Sequence, residues 1–249
     1  LDMTTDWMIT AYRPYSNKIP KLWRWFNPKE WIVAVEGLQA PKKPHMQIRI
    51  KTSKTEKEVK EFLEQYGVVF NGIDIRLAEP KDWKEWKYER KECVYRTSWD
   101  TIGARESRFG RPNGMQIAFL DRLERQNNRQ ITVWYNKDGN AGKSWLCRHL
   151  WERGACTYIM GTSGTADRII KDFVSAYSGE DMVLLDLPRT CKWTDEMYEV
   201  LEHLKDGLVR DDRYGNRTID VNGIRVGVLT NHMPQKSKLS KDRWDIMET

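Results

Sequence analysis

The sequence predicts two fold classes in one chain, an α+β first half followed by an α/β second half. Three observations carry that reading. Apolar residues alternate with period two along several short segments of the first hundred residues. From residue 131 onward, short apolar runs alternate with helical ones, the rhythm of a parallel sheet covered by helices. Between the first of those runs and the first of those helices stands a glycine-containing stretch ending Gly142-Lys143-Ser144, in the position of a phosphate-binding loop.

The elements follow in order. Trp7–Tyr12 alternates weakly, and Trp31–Glu36 is a β-branched run. His45–Lys51 alternates cleanly, with Met46, Ile48 and Ile50 on one side and His45, Gln47, Arg49 and Lys51 on the other. Thr55 and Glu58 have the spacing of a capping box, Val59, Phe62, Leu63 and Tyr66 form the stripe of the helix that follows, and Gly67 closes it. Ile73, Ile75 and Leu77 mark a further strand, and a second helix is expected after Pro80 through DWKEWKYERKE. Residues 100–116 combine glycines, a proline and several arginines without periodicity. A linker or oligomerisation segment is therefore expected at 101–118, between a first domain at 1–100 and a second at 119–249. In the second domain Ile131–Tyr135, Thr157–Met160, Met182–Leu185 and Val226–Thr230 read as strands, and Ser144–Trp151, Ala166–Tyr177 and Thr194–Lys205 as helices.

Composition bounds the function. At 249 residues, 39% hydrophobic and 31% charged, the chain can bury a core and is not a disordered tail. No apolar run approaches the roughly 20 residues of a membrane span, so no membrane partner is expected, and no signal peptide is read at the start. The four cysteines stand far apart with no CxxC pair, which argues against a disulfide framework or zinc knuckle and for a reducing compartment. The net charge of +6 is uneven. Residues 1–105 carry 20 Lys and Arg against 15 Asp and Glu, and the remainder carries 22 against 21. A polyanionic partner would accordingly be met mainly by the first half.

The phosphate loop is the most specific motif. Gly139, Asn140, Ala141 and Gly142 are small enough for backbone N–H groups to wrap phosphates, and the next helix begins at the loop. Lys143 would reach the β- and γ-phosphates of ATP, and the Ser144 hydroxyl would ligate Mg²⁺. Lys137 stands where the loop pattern expects glycine, with Gly139 two positions later to supply the flexibility. Asp181–Asp186 is an apolar strand ending in an acid, suited to hold Mg²⁺ or orient the attacking water. Leu187 follows where a second acid would serve as general base. Val226–Asn231 ends in an amide able to sense a γ-phosphate, although such an Asn taken alone is usually a turn residue. Together these predict an ATPase.

The first half holds a second constellation. His45 and Gln47 lie two apart on one strand, and Glu36 ends the preceding strand, within reach if the two pair as a hairpin. Imidazole with oxygen ligands suits Mg²⁺ or Mn²⁺ better than thiol-seeking metals. Tyr88 and Lys91 are three apart on the expected helix and share a face, where an ammonium can stabilise a phenolate. Read singly, His45 is a surface histidine and Tyr88 an amphipathic surface tyrosine beside Trp83 and Trp86.

The order WMITAY, PHMQ, YERK, phosphate loop, acidic strand end and VLTN resembles the replication initiators (Rep) of circular single-stranded DNA viruses. Leu187-Pro188-Arg189 looks closest to smacovirus-type Reps, with circovirus Reps more distant. The resemblance implies an HUH-type endonuclease, an antiparallel sheet with flanking helices, joined to a superfamily-three helicase of AAA+-like α/β fold. It implies metal ligation by Glu36, His45 and Gln47, the last as an HxQ variant, and a nucleophilic Tyr88 that forms a 5′-phosphotyrosine with Lys91 as its motif partner. Residues Ile9–Tyr12 would aid origin recognition. In the helicase it implies Lys143 and Ser144 on the nucleotide, Asp186 on Mg²⁺, Asn231 as sensor and Arg243 as an arginine finger offered to a neighbour. Arg49, Lys51 and Lys205 are expected on DNA, the last within the loop region Lys205–Asn216.

The function expected from this is rolling-circle initiation: nicking and joining of single-stranded origin DNA coupled to ATP-driven unwinding of duplex by a homo-oligomer, expected as a hexamer. A eukaryotic host would place the chain in the nucleus and a prokaryotic one in the cytoplasm. The alternative is a nucleic-acid-stimulated ATPase or remodelling factor whose first half only binds DNA.

Overall fold

A computed structural model describes residues 4–13, 15–39, 41–79, 86–161, 165–211 and 217–249. Residues 80–85 of the expected second helix, Trp83 among them, and residues 212–216 of the expected loop lie outside these. The chain divides into two compact units, Leu1–Arg105 and Glu106–Thr249.

Unit one is built on a five-stranded antiparallel sheet in the order β4-β1-β3-β2-β5. The strands are β1 (Thr5–Tyr12), β2 (Glu30–Glu36), β3 (His45–Thr52), β4 (Ile73–Leu77) and β5 (Tyr95–Thr97). The alternation read in β3 divides the sheet. Its even residues Ile48 and Ile50 register with Ile9 and Trp7 of β1 and join the core beneath α1 (Ile19–Phe26) and α2 (Glu56–Tyr66). Its odd residues register with Glu36, Ala34 and Ile32 of β2 and face the other way, toward α3 (Lys87–Arg90).

The Thr55/Glu58 capping box is present on α2, with the Glu58 carboxylate also accepting from the Thr55 backbone N–H at 2.7 Å. Gly67 does not end that run in a left-handed turn. It stays right-handed, and the chain continues as a 3-10 turn through Phe70. Helix α1 is absent from the expected elements. Pro20, which reads as a breaker, sits in the first turn of α1, where its missing N–H costs nothing.

Unit two holds a five-stranded sheet in the order β12-β6-β11-β8-β7, parallel throughout. Its strands are β6 (Ile131–Tyr135), β7 (Thr157–Met160), β8 (Met182–Asp186), β11 (Arg225–Thr230) and β12 (Trp244–Glu248). One face, with Val133, Leu185 and Val228, packs against α7 (Ala166–Ala176) and α8 (Asp195–Asp206). The other, with Trp134, Leu184 and Leu229, packs against α5 (Gly114–Glu124) and α6 (Lys143–Glu152). A two-stranded antiparallel pair, β9 (Leu208–Asp211) and β10 (Arg217–Asp220), completes the unit.

The stretch expected as a linker is helical, carrying α4 (Ile102–Phe109) and the start of α5. Its polar residues have tertiary partners. Arg108 pairs with Glu152 of α6 at 3.0 Å, both nearly buried, and the Ser107 carbonyl meets His149 Nδ1 at 2.7 Å.

Candidate functional site

Two sites emerge, one in each unit. In unit one, Glu36 and His45 are register partners at the β2–β3 hairpin, so their side chains share a face. Glu36 Oε2 receives His45 Nε2 at 3.4 Å and Lys91 Nζ at 2.7 Å, while Oε1 is buried without a hydrogen-bond partner. His45 Nδ1 donates to the Lys43 carbonyl at 3.0 Å, which orients the ring with Nε2 facing Glu36. Gln47 sits one pleat further along, with Oε1 accepting from Thr10 Oγ1 at 2.9 Å.

These residues fit a hard divalent cation. A buried carboxylate oxygen lacks a partner, a histidine nitrogen faces the same carboxylate, and an amide oxygen follows on the same face. Adjacent ligands of an octahedral Mg²⁺ lie about 2.9 Å apart, close to the 3.4 Å between Glu36 and His45. Among the described residues no group of three His, Cys, Asp or Glu is placed to hold a metal, so the third ligand would be the Gln47 amide.

Lys91 joins this carboxylate to Tyr88, its Nζ lying 3.5 Å from the Tyr88 ring centroid. Burial works against the Lys91 ammonium, but the Glu36 carboxylate, with a contribution from Tyr88, holds its pKa above the ordinary lysine value. Tyr88 itself is 45% exposed, so its phenol is open to a large substrate. Helix α3 is only four residues long and cannot hold itself. Glu89 anchors it through a buried ion pair with Arg49 at 2.9 Å, and Trp86 lies under the Arg49 guanidinium at 4.1 Å.

That anchor corrects one expectation. Arg49 is 1% exposed and cannot lie along a DNA backbone, because its strand face is covered in the middle by α3. Lys51, on the same face, is half-buried and paired with Glu30 at 3.1 Å.

In unit two the three strand ends meet as expected of a parallel sheet. The loop after β6, Asp186 at the end of β8 and Asn231 after β11 line one pocket of about 510 Å³, together with Tyr158 and Arg189. Gly139 (φ +78°), Asn140 (φ +59°) and Gly142 (φ +84°) are all left-handed, so Gly139 supplies the turn for which Lys137 is unsuited. Added Cβ atoms would lie 2.2 Å from Arg189 Nη2 at Gly139 and 2.6 Å from Gln116 Nε2 at Gly142. Lys143 and Ser144 open α6 at the mouth of this cradle. Burial lowers the Lys143 pKa, Asp186 opposes that and Arg189 adds to it, while burial raises that of Asp186. Tyr158 donates to Asp186 Oδ2 at 3.3 Å. The loop has the shape for a polyphosphate, and Ser144 and Asp186 supply the oxygens that Mg²⁺ would take.

Two further expected residues lie away from this pocket. Arg243 is 6% exposed and bonded to Asp206 Oδ1 at 3.1 Å. It precedes β12, whose Trp244 registers with Ile131 at the start of β6, so it lies at the opposite edge of the sheet from the phosphate loop. Lys205 is also buried at that edge, its Nζ bonded to the Ile224 carbonyl at 2.9 Å and Gln126 Oε1 at 3.0 Å. Burial, with Arg243 adding, pushes its pKa down to about 8, the state of a structural lysine rather than a DNA contact.

Sequence reasoning missed Glu89, Arg189 and Gln116. The Gln116 amide donates to the Gly142 carbonyl at 2.8 Å and so supports the phosphate loop from the helix behind it. Its Asn113-x-x-Gln116 capping-box spacing was a readable signal.

No protein-family model matches the chain. The sequence is 29% identical over 116 residues to the master replication protein of Banana bunchy top virus, covering 47% of this chain and 38% of that one. It is 30% identical over 121 residues to the master replication protein of Subterranean clover stunt virus, covering 49% and 40%. The chain is related to viral replication proteins. A third relative, Para-Rep C10 of Milk vetch dwarf C10 alphasatellite, is 25% identical over 162 residues, which cover 63% of this chain and 55% of that protein. The matches thus span about two-fifths to just over half of these relatives' own length. A particular nearness to smacovirus-type Reps finds no support in these three.

Proposed function

We propose that the chain is a rolling-circle replication initiator with an HUH-type nicking unit and a superfamily-three helicase unit. The observation that carries this is the Glu36 carboxylate, which gathers His45 Nε2 and Lys91 Nζ on one oxygen while Lys91 also lies against an exposed Tyr88. Glu36, His45 and Gln47 would hold Mg²⁺ or Mn²⁺, which when bound supplies polarisation of the scissile phosphate.

Lys91 stabilises the Tyr88 phenolate as its proton leaves for solvent. Tyr88 Oη bonds to phosphorus, the bond from phosphorus to the 3′ oxygen breaks, and that oxygen leaves as a 3′-hydroxyl after taking a proton. The 5′-phosphotyrosine keeps the phosphodiester energy, so a later 3′-hydroxyl can reseal the strand without ATP. In the second unit Lys143 and Asn231 bind the phosphates, Ser144 and Asp186 hold Mg²⁺, and ATP hydrolysis by a ring of subunits drives unwinding. Relatedness to viral master replication proteins supports the replication role.

The test is a denaturing gel of the protein with Mn²⁺ and a labelled single-stranded origin oligonucleotide. Wild type is expected to form a covalent adduct without ATP, and Tyr88→Phe to form none. An adduct that persists in Tyr88→Phe would refute the nucleophile. ATP hydrolysis without any nicking by wild type would favour the remodelling-ATPase alternative.

A further inference from the structure

We propose that Arg189 meets the terminal phosphate of the nucleotide in the second unit, acting in cis on the site that its own chain builds. This deepens the ATPase reading and rests on it. The trans finger expected from the sequence, Arg243, is buried at the far edge of the sheet and bonded to Asp206. The pocket nevertheless has a second cation besides Lys143. Arg189 follows Asp186 by three residues, and its guanidinium lines the same pocket as Lys143, Ser144 and Asn231.

Its two ends are held differently. The backbone is fixed at the strand ends: the Arg189 carbonyl meets His232 Nε2 at 2.7 Å, and the His232 carbonyl accepts from Trp193 Nε1 at 2.8 Å. The neighbouring Pro188 carbonyl accepts from the Cys191 N–H at 2.7 Å. The guanidinium bonds to one neutral acceptor, the Asp138 carbonyl, at 2.5 Å. It lies so close over Gly139 that a Cβ there would be 2.2 Å from Nη2 and 3.6 Å from Asn231 Nδ2. Arg189 and Asn231 therefore converge on one point of the phosphate loop. A phosphate offers the guanidinium a bidentate pair and an opposite charge, where the carbonyl offers a single bond to a neutral oxygen. An arriving polyphosphate therefore takes the guanidinium from the Asp138 carbonyl without moving the backbone that carries it.

In turnover, the oxygen of a water bonds to the γ-phosphorus, and the bond from phosphorus to the β–γ bridging oxygen breaks. The electron pair stays on ADP, and the water proton leaves with inorganic phosphate or to solvent. Arg189 forms no bond to phosphorus; it carries positive charge to the oxygens on which negative charge accumulates.

The experiment uses the full chain with Arg189→Ala and Arg189→Lys. The readouts are steady-state ATP hydrolysis, binding of ADP and a non-hydrolysable ATP analogue, and trapping of ADP with aluminium fluoride. Arg189→Ala is expected to lose about 10³-fold or more in turnover, the scale of an arginine acting on a γ-phosphate. ADP affinity should stay within about threefold, while analogue affinity falls at least about tenfold, the step that one lost charge-assisted contact makes. Arg189→Lys should not restore aluminium fluoride trapping, because it lacks the planar fork. Mixing Arg189→Ala with Lys143→Ala should recover no activity, since each protomer then has a defective site.

Recovery on mixing would overturn action in cis. Equal loss of ADP and analogue binding would reduce Arg189 to a support for the loop and overturn the proposal, as would unchanged turnover. Failure of wild type to bind either nucleotide would instead defeat the ATPase reading itself, and the proposal with it.

Discussion

Replacing Arg49 by Met removes the cation that pairs with the Glu89 carboxylate, 0% exposed, in the interior of unit one. Breaking a buried pair by removing one member costs about 3–5 kcal/mol, because the remaining charge keeps its desolvation penalty without compensation. The 2.9 Å contact and the near-complete burial of both side chains put this pair at the full size of that effect. Loss of the guanidinium stacked 4.1 Å over Trp86 adds to it. With a urea dependence of about 2 kcal/mol per molar for a unit of this size, the midpoint of its transition should fall by about 1.5–2.5 M. Glu89→Met alone removes the other half of the pair and should cost a similar amount. The double variant Arg49→Met/Glu89→Met buries two apolar chains of similar volume and should return to within about 1 kcal/mol of wild type. Urea titration of the three variants, followed by tryptophan fluorescence and far-ultraviolet circular dichroism, closes the cycle. An Arg49→Met cost below about 1 kcal/mol, or a double variant as unstable as the two singles added, would refute the reasoning. The same pair positions Tyr88, so adduct yield should fall in the single variants and recover in the double.

Gly37 has φ +71°, and a Cβ there would lie 2.3 Å from the Lys43 carbonyl oxygen, so Gly37→Ala must move the hairpin that carries Glu36 and His45; adduct formation should be lost, with stability lowered by about 1–2 kcal/mol, read by gel and thermal melt. Lys143→Ala should abolish ATP hydrolysis and leave nicking unchanged, measured on the same preparation. Gln116→Ala removes the support of the Gly142 carbonyl and should weaken binding of a fluorescent ADP about five- to tenfold, the equivalent of one hydrogen bond of about 1 kcal/mol. Lys205 has a folded pKa of about 8, below its unfolded value, so between about pH 8 and 10 the unfolded chain binds more protons. Unfolding free energy should rise with pH across that window, and Lys205→Met should remove that part of the slope in pH-dependent denaturation.

The legible parts of the molecule were those written in periodicity or local spacing. The alternation of β1, β3 and β4, the capping box of α2 and the strand–helix rhythm of the parallel sheet all reappear in space. The gathering of Lys143, Asp186 and Asn231 follows from the parallel topology, which brings the strand ends to one edge. Short elements outside the strand–helix rhythm were not legible. β5 has three residues, and β9 and β10 have four each; β7, also of four, was legible because it stands in that rhythm, which those three do not. Charges were misread for a different reason. A cation on an alternating strand is taken as exposed, yet the acid that buries Arg49 is 40 residues away and the one that holds Arg243 is 37 away. Arg49 also registers with Ile32 of β2 and Met8 of β1, both buried, so its position on the sheet rather than its type decides its surroundings.

β3 places candidate-site and packing side chains on alternate residues, with His45 and Gln47 on one face and Ile48 and Ile50 on the other. Each face can therefore change its chemistry by substitution without disturbing the other. Length has no such latitude. Losing one residue from the strand would exchange every position across the sheet, turning isoleucine toward the cation site and histidine into the hydrocarbon interior. Variation among relatives of this chain should accordingly keep the residue count of this segment, with insertions and deletions confined to the hairpin connection before it.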